Sequence, residues 1–185
     1  MTNSKIAAGA AGLALIGAGG VAAVSASGSA ESAQAPATAV VKQKAGVEFK
    51  ANRWIKDKLR FNKDVYTVQS GGTLRVVNTQ ADEGPHTVSI VKKKDLPTTF
   101  NCPVCEKLAE AHGADPNSDK PPKYEFVENG EGQKDPANFN RPGDSGVTGP
   151  NKGDKFEVPV TAPAGKTLHF MCIIHPWMQA KLKVE

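Results

Sequence analysis

The run Phe170-Met171-Cys172-Ile173-Ile174-His175-Pro176-Trp177-Met178 puts a thiolate, an imidazole and a thioether within seven residues, close to the C-terminus. Thiolate and thioether are soft donors. Two imidazoles and a thiolate in one plane, with a weak thioether on the axis, suit copper above other metals. The second imidazole comes from His86, which starts the apolar run His86-Thr87-Val88-Ser89-Ile90-Val91 far upstream. The expected site is one copper per chain, held by His86, Cys172, His175 and Met178. All four positions are filled by protein, so no open place is left for a substrate, unlike a catalytic metal. Copper(I) and copper(II) prefer different geometries, and a scaffold that holds one compromise between them needs little rearrangement. Single-electron transfer is therefore the expected work, with no catalytic residues.

These donors need elements to carry them. Side chains alternate faces along a strand, so Phe170 and Cys172 point one way while His169 and Met171 point the other. His169 is accordingly read as a non-ligand. Cys172 ends its strand, His175 and Met178 follow on a loop, and Gln179–Val184 returns with Ala180, Leu182 and Val184 on one face. Other short β-type runs are Val47–Lys50, Trp54–Phe61, Val65–Gln69, Thr73–Asn78, His86–Val91, Lys155–Val160 and Thr167–Cys172. Turn residues such as Gly71-Gly72 and Glu83-Gly84-Pro85 punctuate them. Many short strands with tight turns predict an all-β, antiparallel sandwich.

The domain is expected over residues 46–185, interrupted by a long insertion at 93–153. There, Cys102 to His112 reads as one short helix with Leu108 facing inward. After Gly113 the chain is dense in Pro, Gly, Asn and Asp, and only Tyr124-Glu125-Phe126-Val127 looks able to pair as a strand. Loops of this length are usually functional or partly disordered. Residues 36–45 read as a linker.

Residues 1–35 read as a signal peptide or an N-terminal membrane anchor. Lys5 precedes the run Ile6 to Ala26, built from Ala, Gly, Leu, Ile and Val with one Ser, and small residues follow. Either reading places the domain outside the cytoplasm: periplasmic, secreted, or tethered to the outer face of the membrane. About 150 residues remain after that segment, enough for one domain with a real core. The formal net charge is +4, and because only Lys5 and Glu31 are charged before Pro36, it is unchanged without the leader. So mild a charge, with no basic run interleaved with aromatics, argues against nucleic-acid binding.

Three cysteines suit an oxidising compartment. With Cys172 on the metal, Cys102 and Cys105 form an even pair, read as a small-loop disulfide. Two alternatives stay open. A Cys-x-x-Cys before a helix can be a redox motif, although the βαβ pattern expected around one is missing. With His112 the pair could also supply part of a second metal site, which then lacks a clear fourth donor.

The spacing Cys172-x-x-His175-Pro176-x-Met178, with Trp177 before the Met, resembles the ligand loop of the cupredoxins, most nearly the short loop of amicyanin. The segment Tyr66–Asn78 resembles the strand–turn–strand that precedes the first ligand histidine in that family. The resemblance covers about residues 46–92 and 154–185 and does not extend to the insertion. It implies a Greek-key β-sandwich of plastocyanin/amicyanin type. His86, Cys172 and His175 would be strong equatorial ligands and Met178 the weak axial one. His175 would reach the surface through an apolar patch containing Pro176 and Trp177, where a redox donor and acceptor dock. Two positions depart from the family. Thr87 stands where many relatives have Asn beside the first histidine, and Ala180 where Gly is usual two residues after the axial Met.

The leading expectation is thus a monomeric extracytoplasmic electron carrier, working between redox proteins the sequence does not name. The alternatives are a copper storage or delivery protein, and a thiol–disulfide oxidoreductase using Cys102 and Cys105.

Overall fold

Alternating apolar residues build most of the strands. The computed structural model describes residues 35–80, 84–115, 117, 118, 120–133 and 135–185. One sheet has four strands in the order β11 (Lys155–Pro159), β6 (Thr73–Val77), β1 (Thr38–Lys44) and β4 (Arg60–Phe61). The other has seven, in the order β5 (Val65–Val68), β13 (Gln179–Val184), β12 (Thr167–Met171), β7 (Thr87–Val91), β10 (Ser145–Val147), β8 (Phe126–Glu128) and β9 (Glu131–Gln133). The inward side chains of both sheets form one core: Val41, Leu74, Val76, Phe156 and Val158 from the first, Tyr66, Val88, Ile90, Phe170 and Leu182 from the second. This is an all-β sandwich with one short α-helix, α1 (Pro103–Ala111). Most pairings are antiparallel, as expected, but β1 with β6 and β13 with β5 run parallel.

Three expectations need correction. The linker read at 36–45 is largely strand β1, which buries Ala39, Val41 and Gln43 on alternate positions. Small and polar residues hid an ordinary period-two pattern. Within 93–153, pairing extends beyond the single strand expected near Tyr124–Val127, because β9 and β10 join β8 in the seven-stranded sheet. Ser145-Gly146-Val147 has little strand propensity. A Cβ added at Gly146 would lie 2.8 Å from the Phe156 ring, so the facing sheet demands glycine there. Finally, the expected strand Trp54–Phe61 is two strands, β3 (Trp54–Asp57) and β4.

The remainder of 93–153 covers the outer face of the larger sheet. A second apolar cluster joins Val91 and Met171, on the faces opposite Ile90 and Phe170, to Cys102, Cys105, Leu108 and Val127. All five residues of β7 are buried for this reason. Proline begins α1 just after Cys102, where its missing N–H costs nothing. The Cys102 and Cys105 sulfurs lie at bonding distance, with Cα atoms 5.2 Å apart. Buried Asp144 ties the segment together by accepting backbone N–H bonds from Asn129 (3.1 Å), Asn140 (2.9 Å) and Arg141 (3.0 Å).

β2 (Val47–Lys50) pairs only with β3, forming a ribbon outside both sheets. It exposes Val47, Phe49, Trp54 and Ile55. Among the described residues no helix is long and apolar enough to cross a membrane. The leader or anchor read at 1–35 lies, except for Ala35, outside those residues.

Candidate metal centre

His86 stands immediately before β7, and its backbone is fixed by Thr148. The His86 N–H donates to Thr148 Oγ1 at 3.1 Å, and the Thr148 N–H donates to the His86 carbonyl at 2.9 Å. Asn78 holds the approach to His86, donating from Nδ2 to the Gly84 and Gly149 carbonyls at 2.9 and 3.2 Å. Cys172 follows β12 on the core-facing side, in the same cluster as Phe170. His169 lies on the opposite face, paired with Lys181 and Val91, outside the cluster of donors.

The loop from Cys172 to Met178 closes on itself. The Cys172 N–H donates to the Met178 carbonyl at 3.0 Å, and the Met178 N–H to the His175 carbonyl at 2.8 Å. Trp177 pins the loop from outside by donating its indole N–H to the Leu59 carbonyl at 3.0 Å. Gln179 adds bonds to the Pro97 and Pro176 carbonyls. The loop's shape is therefore set by the protein's own bonds.

One ligand atom each from His86, Cys172 and His175 lies within 4.8 Å of the others. Cys172 Sγ is 3.6 Å from His175 Nδ1, and the two imidazole rings have centroids 5.1 Å apart. His86 and Cys172 are wholly buried, while His175 is half-buried. The Met178 side chain is wholly buried in the same core cluster as Cys172.

Electrostatics fit a cation at this point. Both ring nitrogens of His86 are buried without a hydrogen-bond partner, and orphaned buried polar atoms are rare in folded proteins. Burial, and then the neighbouring His175, push the His86 pKa down to about 4, so the ring is neutral and its lone pair available. Burial likewise lowers the His175 pKa, with Asp57 opposing. Burial raises that of Cys172 against hydrogen bonds from Thr87 and the loop, one of them the Thr87 N–H to Sγ at 3.3 Å. A metal bound there would displace the Cys172 proton to solvent, because coordination requires the thiolate.

Sequence spacing did not reveal the polar support around this group. The Thr87 hydroxyl accepts the Ile173 N–H at 2.8 Å and so braces the first turn of the ligand loop. Thr148 braces His86 from a segment that reads as irregular loop.

Fold and site together define a class: an all-β sandwich carrying a buried two-histidine, one-cysteine group that could hold a metal ion. Among solved structures the chain is similar to auracyanin A, a "blue" copper protein from Chloroflexus aurantiacus, at 20% identity and TM-score 0.45, covering 81% of this chain and 99% of that one. It is also similar to a purple cupredoxin from Nitrosopumilus maritimus (14% identity, TM-score 0.39, 80% and 98% covered). Amicyanin from Paracoccus versutus is a third (17%, TM-score 0.35, 79% and 79%). No family model and no curated protein matches the chain. The functional reading therefore rests on this chain's own donors.

Proposed function

We propose that this protein binds one type 1 copper ion through His86, Cys172 and His175, with Met178 as a weak axial ligand, and carries single electrons between redox partners. The observation that supports this most strongly is the unpartnered, buried His86 ring beside Cys172 and His175. Copper, when bound, supplies a one-electron couple whose potential follows the axial ligand and the hydrogen bonds at sulfur. The chain's own residues keep His86 away from water, brace the thiolate through Thr87, and leave His175 as the one partly exposed member of the group. Around His175 stand exposed Ile174, Trp177 and Phe100, with Trp177 in edge contact with both the His175 and Phe100 rings. That apolar rim supports electron exit through His175 to a docked protein.

The same reading places the protein outside the cytoplasm, as a monomer, released or tethered through residues 1–35. It takes Cys102–Cys105 as a structural disulfide. Burial of both cysteines against Leu108 and Met171 favours a structural bridge over a working dithiol. The test is to load residues 36–185 with copper(II) and record visible and electron-paramagnetic spectra. The expected result is an intense thiolate-to-copper band at one copper per chain. A colourless or weak square-planar copper signal would overturn the assignment. A reversible potential with slow metal exchange would separate a carrier from a delivery protein, which hands its copper to an acceptor.

A further inference from the structure

The β2–β3 ribbon has two unlike faces. Its register pairs Val47 with Asp57 and Phe49 with Ile55, so these four side chains share one face. Glu48, Lys50, Trp54 and Lys56 share the other. The first face is apolar except for Asp57, and it is open to solvent: Phe49 is 73% exposed and Ile55 78%. Exposed apolar residues grouped on one face, with charges around them, mark an interaction site. The ribbon is also where the chain keeps its positive charge. Residues 44–60 hold six basic side chains, Lys44, Lys50, Arg53, Lys56, Lys58 and Arg60, against Glu48 and Asp57. The excess of four equals the formal net charge of the whole chain, so the rest of the sequence is balanced. Among the described residues only Lys58 of the six is ion-paired, with Glu48, and the other five are exposed. A mild net charge thus conceals a concentrated one.

Hydrogen bonds tie the base of the ribbon to the metal loop. Leu59, two residues past β3, donates its N–H to the Asp57 carboxylate at 2.7 Å. Its carbonyl accepts the Trp177 indole N–H at 3.0 Å. Trp177 in turn lies against His175 and Phe100, with ring centroids 5.4 and 5.7 Å apart. The face that carries Asp57, Val47, Phe49 and Ile55 therefore adjoins the exposed apolar rim around His175.

We infer that the ribbon is a docking arm for a redox protein with an acidic face: Val47, Phe49 and Ile55 make the apolar contact beside His175, and the surrounding cations steer the partner's carboxylates toward it. Charge of one sign raises encounter rates and suppresses wrong partners, while apolar contact governs how long the complex lasts. Two other occupants fit less well. A second copy would bring two surfaces of the same positive excess together. A lipid bilayer would first meet the polar turn Ala51-Asn52-Arg53, and would then have to bury Asp57 within the apolar face. A hydrated protein surface with carboxylates around an apolar spot accommodates both features. In the docked pair one electron leaves copper(I) for the partner's oxidised centre, giving copper(II) and the reduced partner, with no proton moved. That transfer rests on the copper reading, whereas the docking face does not.

Two measurements on the full-length protein separate them, with an acidic and a basic c-type cytochrome as probes. Three variants are compared with the wild type. The first joins Lys50→Glu, Arg53→Glu and Lys56→Glu, and the second joins Phe49→Ser and Ile55→Ser. The third joins Lys107→Glu, Lys166→Glu and Lys183→Glu, exposed lysines away from the ribbon that give the same net charge as the first. In metal-free protein, nitrogen-15 shifts are followed as each reduced cytochrome is added at low salt. The acidic cytochrome should shift the amides of residues 47–57 and the Trp177 indole, and the basic one should not. The ribbon reversal should abolish these shifts, the apolar pair should weaken binding about tenfold, and the distant reversal should keep the ribbon shifts. Shifts lying elsewhere, or equal losses from the two reversals, would overturn the proposal. So would ribbon-dependent binding to phosphatidylserine vesicles, or a ribbon-dependent dimer on sedimentation, in place of the cytochrome shifts. In copper(I)-loaded protein, oxidation by the acidic ferricytochrome should slow about tenfold or more in the ribbon reversal at low ionic strength, and salt should close the gap. A rate indifferent to the ribbon would overturn the proposal as well. Failure of the thiolate band to appear would sink the copper reading alone, and the metal-free shifts would still decide the docking arm.

Discussion

The ligand loop Cys172–Met178 and the segment 93–153 are both irregular, but they are built differently. The loop is held by short-range backbone bonds, Cys172 to Met178 and Met178 to His175, plus the Trp177 anchor. The segment is held at long range, by Asp144 gathering three amides, by strand β10 under Phe156, and by an apolar cluster beneath α1. The loop places chemistry, while the segment covers and steadies the sheet behind it. Shape near the metal is thus set locally, and burial behind it is supplied from far away in sequence.

The sharpest way to break this division is Cys172→Ala. Complete loss of the thiolate-to-copper band is expected with the fold retained by far-ultraviolet circular dichroism, and an unchanged blue spectrum would refute the loop's role. Asp144→Ala strikes the other region. It leaves three part-buried amide donors without their acceptor, and hydrogen bonds to a charged group are worth about 1.5–3 kcal/mol each, so a loss of about 3 kcal/mol by urea unfolding is expected after partial rehydration. The copper band should persist. Replacing Cys102 and Cys105 together by Ser should cost less, about 2 kcal/mol for so short a closed loop, again with colour retained. Loss of colour in either variant would show that the segment does more than cover the sheet.

Sequence legibility divides along the same line. The convergence of Cys172 and His175 is legible because donors at fixed spacing follow a strand whose alternation fixes the face of Cys172. His86 was readable because it heads an apolar run. β1 was obscured by Ala and Gln at its inward positions, and β10 by Gly146, whose missing side chain matters only once Phe156 lies across from it. Thr87 is legible only as a departure from Asn. Its bond to Ile173 and its link through Ser89 to Ser145 are not, because pairings 86 and 56 residues apart leave no local signal.

Smaller effects sharpen the picture inside the loop. Met178→Gln should keep the colour and lower the potential, since a harder oxygen donor favours copper(II). An unchanged potential would argue that the thioether is not bound. Acid should weaken the metal-free protein. His86 titrates at about 4 when folded and near the ordinary value of 6.5 when unfolded, so its contribution is fully present above that upper value and is lost as pH falls toward 4. A melting temperature flat between pH 7 and 4.5 in metal-free protein, compared with His86→Gln, would contradict the burial of that ring.

The β2–β3 ribbon has a further consequence. Its eight strand residues are all exposed, and none belongs to either apolar cluster. It is joined to the body through its two ends, one of them closed by the Lys58 N–H on the Gly46 carbonyl at 2.7 Å. Apart from Asp57, whose charge acts on His175 and whose carboxylate accepts the Leu59 N–H at 2.7 Å, its sequence is therefore free to drift without disturbing how the sandwich folds or how the donors converge. In evolutionary terms the ribbon is a cassette, in which new residues can be tried while the centre stays constant.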